Sequence, residues 1–166
     1  MNQKKLLHLF GLGKMGQALA YNLINNQYKV RAFDKSNPKI IYKHKNFKVI
    51  EQIDDMLIFK EDRSVILLCI PEGKGLDGLI NYLIPKLIKG DIVIDLGNSN
   101  FKKTIKRSKK LSKIGVDLVD FGISGGPEGA MSNPSIMVGC SSKNTWHIIK
   151  RLASDLNKSY DQNPLS

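Results

Sequence analysis

The segment Leu6-Leu7-His8-Leu9-Phe10-Gly11-Leu12-Gly13-Lys14-Met15-Gly16 constrains the fold most, because a mostly apolar run enters a G-x-G-x-x-G turn and emerges with helical spacing. Strand, glycine turn and helix in that order open a βαβ unit that binds a dinucleotide. Gly11 permits the tight turn, Gly13 lets a pyrophosphate approach the backbone, and Gly16 lets the helix pack closely on the strand. The helix N-terminus then offers unpaired N–H groups to the phosphates. Three glycines alone would also suit an ordinary strand–helix turn or the related turn of a methyltransferase. Asp34, about 20 residues further on and at the end of a second apolar run, favours the dinucleotide.

The remaining composition narrows the partners. A chain of 166 residues, 42% hydrophobic and 25% charged, has room for one domain with a real core. No apolar run approaches the roughly 20 residues that span a bilayer, so a soluble protein without a membrane partner is expected. Met1-Asn2-Gln3-Lys4-Lys5 leads through a short apolar stretch directly into the glycine turn, which reads as a first strand and not a signal peptide. Cys69 and Cys140 stand apart with no CxxC spacing, which suits a reducing cytoplasm and predicts no metal site. The net charge of +11 invites a nucleic-acid reading. Its densest group, Lys102, Lys103, Lys106, Arg107, Lys109, Lys110 and Lys113, falls on one predicted helix and reads as a solvated face; with no nucleic-acid motif beside it, no such partner is expected.

Hydrophobic periodicity gives an alternation of strands and helices. Strands are expected at 6–10, 28–33, 47–50, 64–70, 92–95, 116–121 and 135–139, and helices at 15–25, 53–59, 76–88, 101–114 and 144–156. A glycine-rich loop is expected after the sixth strand. The pattern predicts an α/β fold, a Rossmann-type doubly wound and mainly parallel sheet, over residues 1–157, with a tail at 158–166. In such a sheet ligands sit beyond the carboxyl ends of the strands, so function is read in the residues that follow each strand. Asp34 there would accept the adenosine ribose hydroxyls and repel a 2′-phosphate, which points to NAD; Lys35 and Ser36 are types that hold a 2′-phosphate, which keeps NADP as the alternative. Pro71-Glu72-Gly73-Lys74-Gly75, Gly97-Asn98-Ser99 and Ser124-Gly125-Gly126-Pro127-Glu128-Gly129 follow three further strands and are expected to converge on one cleft. Asn98 offers a donor and an acceptor, and the backbone N–H groups of Ser124-Gly125-Gly126 suit carboxylate or hydroxyl oxygens.

The order and spacing of Gly11-Leu12-Gly13-Lys14-Met15-Gly16, Ile70-Pro71-Glu72-Gly73, Gly90-Asp91-Ile92-Val93-Ile94-Asp95-Leu96-Gly97-Asn98-Ser99 and Gly122-Ile123-Ser124-Gly125-Gly126-Pro127-Glu128-Gly129-Ala130 resemble the 6-phosphogluconate dehydrogenase family over nearly the whole chain. The resemblance implies oxidative decarboxylation of 6-phosphogluconate to ribulose 5-phosphate in the pentose phosphate pathway, and Asp34 makes the chain look like the NAD-using branch. By position it implies cofactor contacts from Gly11, Leu12, Gly13, Lys14, Met15, Gly16, Asp34, Lys35, Ser36, Ile70, Pro71 and Asn98. Substrate contacts are implied for Asn98, Ser124, Gly125 and Gly126.

Departures from the family pattern are equally informative. Leu96 stands where the family usually has glycine, Glu72 where a small residue is common, and Asn133-Pro134 and Cys140 interrupt a glycine-rich pattern. The family's proton-accepting lysine, in a Lys-x-x-His-Asn segment, its later glutamate and its all-helical domain have no counterpart in these residues. Lys74, His147 and Lys150 do not match the lysine's position, so no catalytic residue is assigned. The expectation is a truncated, NAD-binding domain, inactive alone, whose partner is a separately encoded helical domain or a second copy of itself. A non-catalytic NAD(H)-binding or docking module is the alternative.

Overall fold

The computed structural model describes residues 6–40, 42–57 and 63–157. Its sheet is built outward from strands that are apolar on both faces. Val65-Ile66-Leu67-Leu68 forms β4 (Val65–Leu68) and Ile92-Val93-Ile94-Asp95 forms β5 (Ile92–Asp95), each buried at every position, as central parallel strands covered by helices are. With β1 (Leu6–Phe10), β2 (Lys29–Phe33), β3 (Phe47–Val49), β6 (Asp117–Ser124) and β7 (Ser135–Gly139) they form one seven-stranded sheet in the order β3-β2-β1-β4-β5-β6-β7. The first six strands run parallel and β7 is antiparallel to β6. This is the Rossmann-type doubly wound order, and its topological switch point lies between β1 and β4.

Two apolar layers hold the helices. Leu7 and Leu9 point from β1 into a layer with α1 (Lys14–Asn25), α4 (Gly126–Ser132) and α5 (Lys143–Leu156). Phe10, Ile66, Leu68 and Val93 point into the opposite layer with α2 (Lys74–Leu83) and α3 (Phe101–Ser112). On the α1 side, buried Asn22 donates from Nδ2 to the carbonyls of Ala130 and Leu156, both at 3.0 Å, and so ties α1 to the ends of α4 and α5. Tyr28 adds a second tie by donating to Asp155 Oδ2 at 2.9 Å.

Several elements differ from the sequence expectation for identifiable reasons. The helix expected at 76–88 begins at Lys74 and leaves α-geometry after Leu83, continuing as a 3-10 turn over Ile84–Lys86. Pro85 lacks the N–H and its ring crowds the preceding turn. The glycine-rich loop expected after β6 is instead α4, with Pro127 near its start and Glu128 in its first turn. Glycines hide helical potential, whereas proline near a helix start marks it. The helix expected at 53–59 is a 3-10 turn at Ile53–Leu57; residues 58–59 and the expected tail lie outside the described residues. Among the described residues no helix is long and apolar enough to cross a membrane.

Candidate functional site

The glycine turn lies at the carboxyl end of β1, where the close packing that its glycines permit is visible. Gly11 has φ of +98°, and a Cβ there would run into the Cys69 carbonyl; a Cβ on Gly16 would run into the Gly11 carbonyl. Gly13 is different. It caps α1 with extended backbone, and a Cβ on it would meet nothing within 4 Å, so the space beside it is open to a ligand. No side chain caps α1 and its first turn carries no acidic residue, so the N–H groups and the positive end of the helix dipole face that space.

Asp34 closes the far side of the turn. Its Oδ2 accepts the Leu12 N–H at 2.7 Å, while Oδ1 accepts the Ser36 N–H at 2.8 Å and the Ser36 hydroxyl at 2.6 Å. Burial pushes the Asp34 carboxyl up, but the donors from Ser36 and Leu12, with the Lys35 charge, outweigh it and hold it below the ordinary carboxylate value. A carboxylate has roughly four acceptor positions. Three are filled here, and the remaining one is on Oδ2.

A cleft of about 480 Å³ opens between this turn and α2. Gly11, Gly13, Asp34, Lys35, Ile70 and Pro71 line it, six of the residues singled out by sequence. Leu12 and Gly16 are buried behind it, Met15 packs partly against the core, and Lys14 and Ser36 are exposed beside it. The cleft also has walls that the sequence reading missed: Phe10 and Phe33, whose rings meet edge-to-face at 6.3 Å, and Ile53, Leu79 and Tyr82. Gly75 and Gly78 on α2 also line it, and two glycines inside a ten-residue helix were the available signal. Cys69 lines the same cleft; burial, with the nearby Asp95 charge, pushes its thiol up to about 12.

Asn98 and the Ser124 segment lie outside that cleft, on its β5–β6 side. Asn98 has φ of +51°, and its amide bridges the strand ends by donating to the Ile123 carbonyl at 3.3 Å and accepting the Ile123 N–H at 3.2 Å. One N–H and one lone pair of that amide are left for a ligand. Asn98 lines a second depression of about 360 Å³ with Ser99, Asp120, Gly122 and Met137. Asp120 there is raised by burial and by the facing Asp95 charge. Ser124 is the last residue of β6, paired with Ser135, and Gly125 and Gly126 begin α4 with φ of +114° and +62°. The single cleft expected of the three loops is instead divided between these two depressions, and residues 124–129 line neither. Gly97 lies against the Ile70 carbonyl, and Glu72 accepts both the Asn100 N–H and the Lys103 ammonium. Lys74, His147 and Lys150 are all exposed, the last two on α5.

Comparison with known proteins agrees with this fold. A family profile described as the NAD binding domain of 6-phosphogluconate dehydrogenase matches residues 7–159. The decarboxylating 6-phosphogluconate dehydrogenase of Buchnera aphidicola is 42% identical over 141 residues, covering 82% of this chain and 30% of that protein. The decarboxylating 6-phosphogluconate dehydrogenase 1 of Saccharomyces cerevisiae is 36% identical over 163 residues, covering 94% of this chain and 33% of that protein. The chain thus spans about a third of the length of these curated relatives. Among solved structures, Plasmodium falciparum 6-phosphogluconate dehydrogenase, studied with NADP+ and with 6-phosphogluconate, superposes with a TM-score of 0.79 at 22% identity, over 95% of this chain and 35% of that one. At that identity the likeness speaks for the fold.

Proposed function

The chain belongs to the family of NAD-binding domains of 6-phosphogluconate dehydrogenase, and from that premise we propose that it binds NAD, in preference to NADP, as the cofactor-binding part of an oxidoreductase acting on 6-phosphogluconate. The observation that carries the cofactor choice is the Asp34 carboxylate, held at the glycine turn by Leu12 and Ser36 with one acceptor position free. An adenosine ribose hydroxyl would fill that position. A 2′-phosphate would instead meet a like charge, which at about 4 Å and an effective dielectric near 20 costs roughly 4 kcal/mol, less where water screens it. Ser36 directs its hydroxyl to Asp34, which argues against its serving a 2′-phosphate and leaves exposed Lys35, of these two, to do so.

The open space beside Gly13 and the N-terminus of α1 fit a pyrophosphate. A cofactor held there by its pyrophosphate would supply, through its nicotinamide, a hydride acceptor. In this reading Gly11, Leu12, Gly13, Lys14, Met15 and Gly16 form the phosphate turn, Ile70 and Pro71 wall the path toward the nicotinamide, and Asn98 lies where cofactor and substrate would meet. The free valences of the Asn98 amide, with Ser124, Gly125 and Gly126, would hold hydroxyl or carboxylate oxygens of 6-phosphogluconate. Hydride removal from a hydroxyl needs a base within hydrogen-bond reach. The family's Lys-x-x-His-Asn segment is not among these 166 residues, so the base is assigned to none of them.

Calorimetric titration tests the cofactor assignment. NAD should bind at least about tenfold more tightly than NADP, and Asp34→Asn should narrow the gap. Tighter binding of NADP by the native chain would reverse the assignment and shift attention to Lys35.

A further inference from the structure

Arg107 is a buried cation that the proposed chemistry does not use. It sits on α3 with only 5% of its side chain exposed, a costly place for a guanidinium unless its geometry accomplishes something. Its Nε donates to Asp77 Oδ1 on α2 at 2.7 Å, and its Nη1 donates to the Ser99 hydroxyl at 3.0 Å while lying 3.6 Å from Asp95 Oδ2. Ser99 passes the contact on by donating to Asp95 Oδ2 at 2.7 Å. The other Asp95 oxygen accepts the Gly97 N–H at 2.9 Å. The fully buried Asp95 side chain therefore clasps the turn on both sides of Asn98, and Arg107 braces the clasp from behind. Beyond the clasp, the β5–β6 pairing ends at Asp95 opposite Asp120, so at Ile123 the Asn98 amide takes the place of a strand neighbour.

We propose that Arg107 is a positioning residue: through Ser99 and Asp95 it holds the 97–99 turn so that the Asn98 amide stays locked on Ile123 with its two remaining valences turned to the ligand. The proposal rests on the reading of Asn98 as a substrate contact only for its consequence, not for its geometry. Its direct signature is local, because the Ile123 N–H is protected by the Asn98 side chain and the Asn98 NH2 by the Ile123 carbonyl.

The test compares the native chain with Arg107→Met, Arg107→Lys and Ser99→Ala by amide NMR and hydrogen exchange, then titrates 6-phosphogluconate in the presence of saturating NAD. In Arg107→Met, exchange at Ile123 should rise by about tenfold or more and the Asn98 side-chain signals should move, while Leu12, next to Asp34, is unchanged. Arg107→Lys should restore part of the protection, since an ammonium can still reach Ser99 and Asp95. Ser99→Ala should give the same signature with Arg107 intact, and it decides the matter if Arg107→Met does not fold. NAD affinity should hold within about twofold and 6-phosphogluconate affinity should fall about tenfold or more. Unchanged Ile123 and Asn98 signals in folded Arg107→Met or Ser99→Ala would overturn the positioning role. If the native chain binds no 6-phosphogluconate while the signature appears, the substrate reading fails and the positioning role stands.

Discussion

At the scale of single residues, the site is controlled by what small groups leave room for. Gly13 leaves open space where a branched side chain would stand in the path of a pyrophosphate. Gly13→Val should therefore lower NAD affinity by about tenfold or more with little change in far-UV dichroism, because its extended backbone is one that valine adopts readily. Undiminished binding by the folded variant would remove the turn from the site. Cys69 supplies a second test. Its thiol is pushed up to about 12 by burial and by Asp95, so alkylation followed by mass spectrometry should find Cys69 unmodified at mildly alkaline pH until denaturant is added. The raised value also has a sign for stability: the contribution is complete below the ordinary thiol value and is lost as pH climbs through about 12. Fast labelling of Cys69 in the native protein would contradict its placement. The glycine turn and Asp34 were legible in the sequence because spacing encodes them. Tyr82 and Ile53 were not, because their approach to the cleft depends on how a helix and a 3-10 turn pack across the sheet.

At the scale of elements, the strands were easier to read than the helix ends. Runs such as Val65-Ile66-Leu67-Leu68 announce buried parallel strands without help from tertiary contacts. The end of α2 was legible in Pro85 but outweighed by apolar periodicity continuing to Leu87, which packs in the same layer although it lies beyond the helix. The short α4 was hidden by its glycines and is held by Asn22, whose partner on it is a backbone carbonyl that carries no side-chain signature. This gives Asn22 a measurable weight. Asn22→Leu leaves the Ala130 and Leu156 carbonyls without their donor and should cost about 2–4 kcal/mol in denaturant unfolding. A loss near zero would mean that the helices are held by apolar packing alone.

At the scale of the whole molecule, the chain holds a nucleotide-binding fold that accounts for about a third of the length of its curated relatives. With no Lys-x-x-His-Asn segment in its sequence, this chain alone should produce no 6-phosphogluconate-dependent NADH above a blank, since a positioned acid or base contributes about 10²–10⁴-fold per group. Ordinary enzymatic rates from the purified chain would show that an exposed group such as Lys74 has become the base. The Asn22 tie also reaches into the history of the molecule. That side chain sits on the first helix, yet its carbonyl partners are 108 and 134 residues away in sequence, and β1 itself lies between β2 and β4. Closing such distant contacts costs loop entropy before they repay it, so folding is expected to be slow relative to a helical bundle. On a ribosome, the glycine turn emerges well ahead of Leu156, but it cannot acquire its finished support until Leu156 has cleared the exit tunnel.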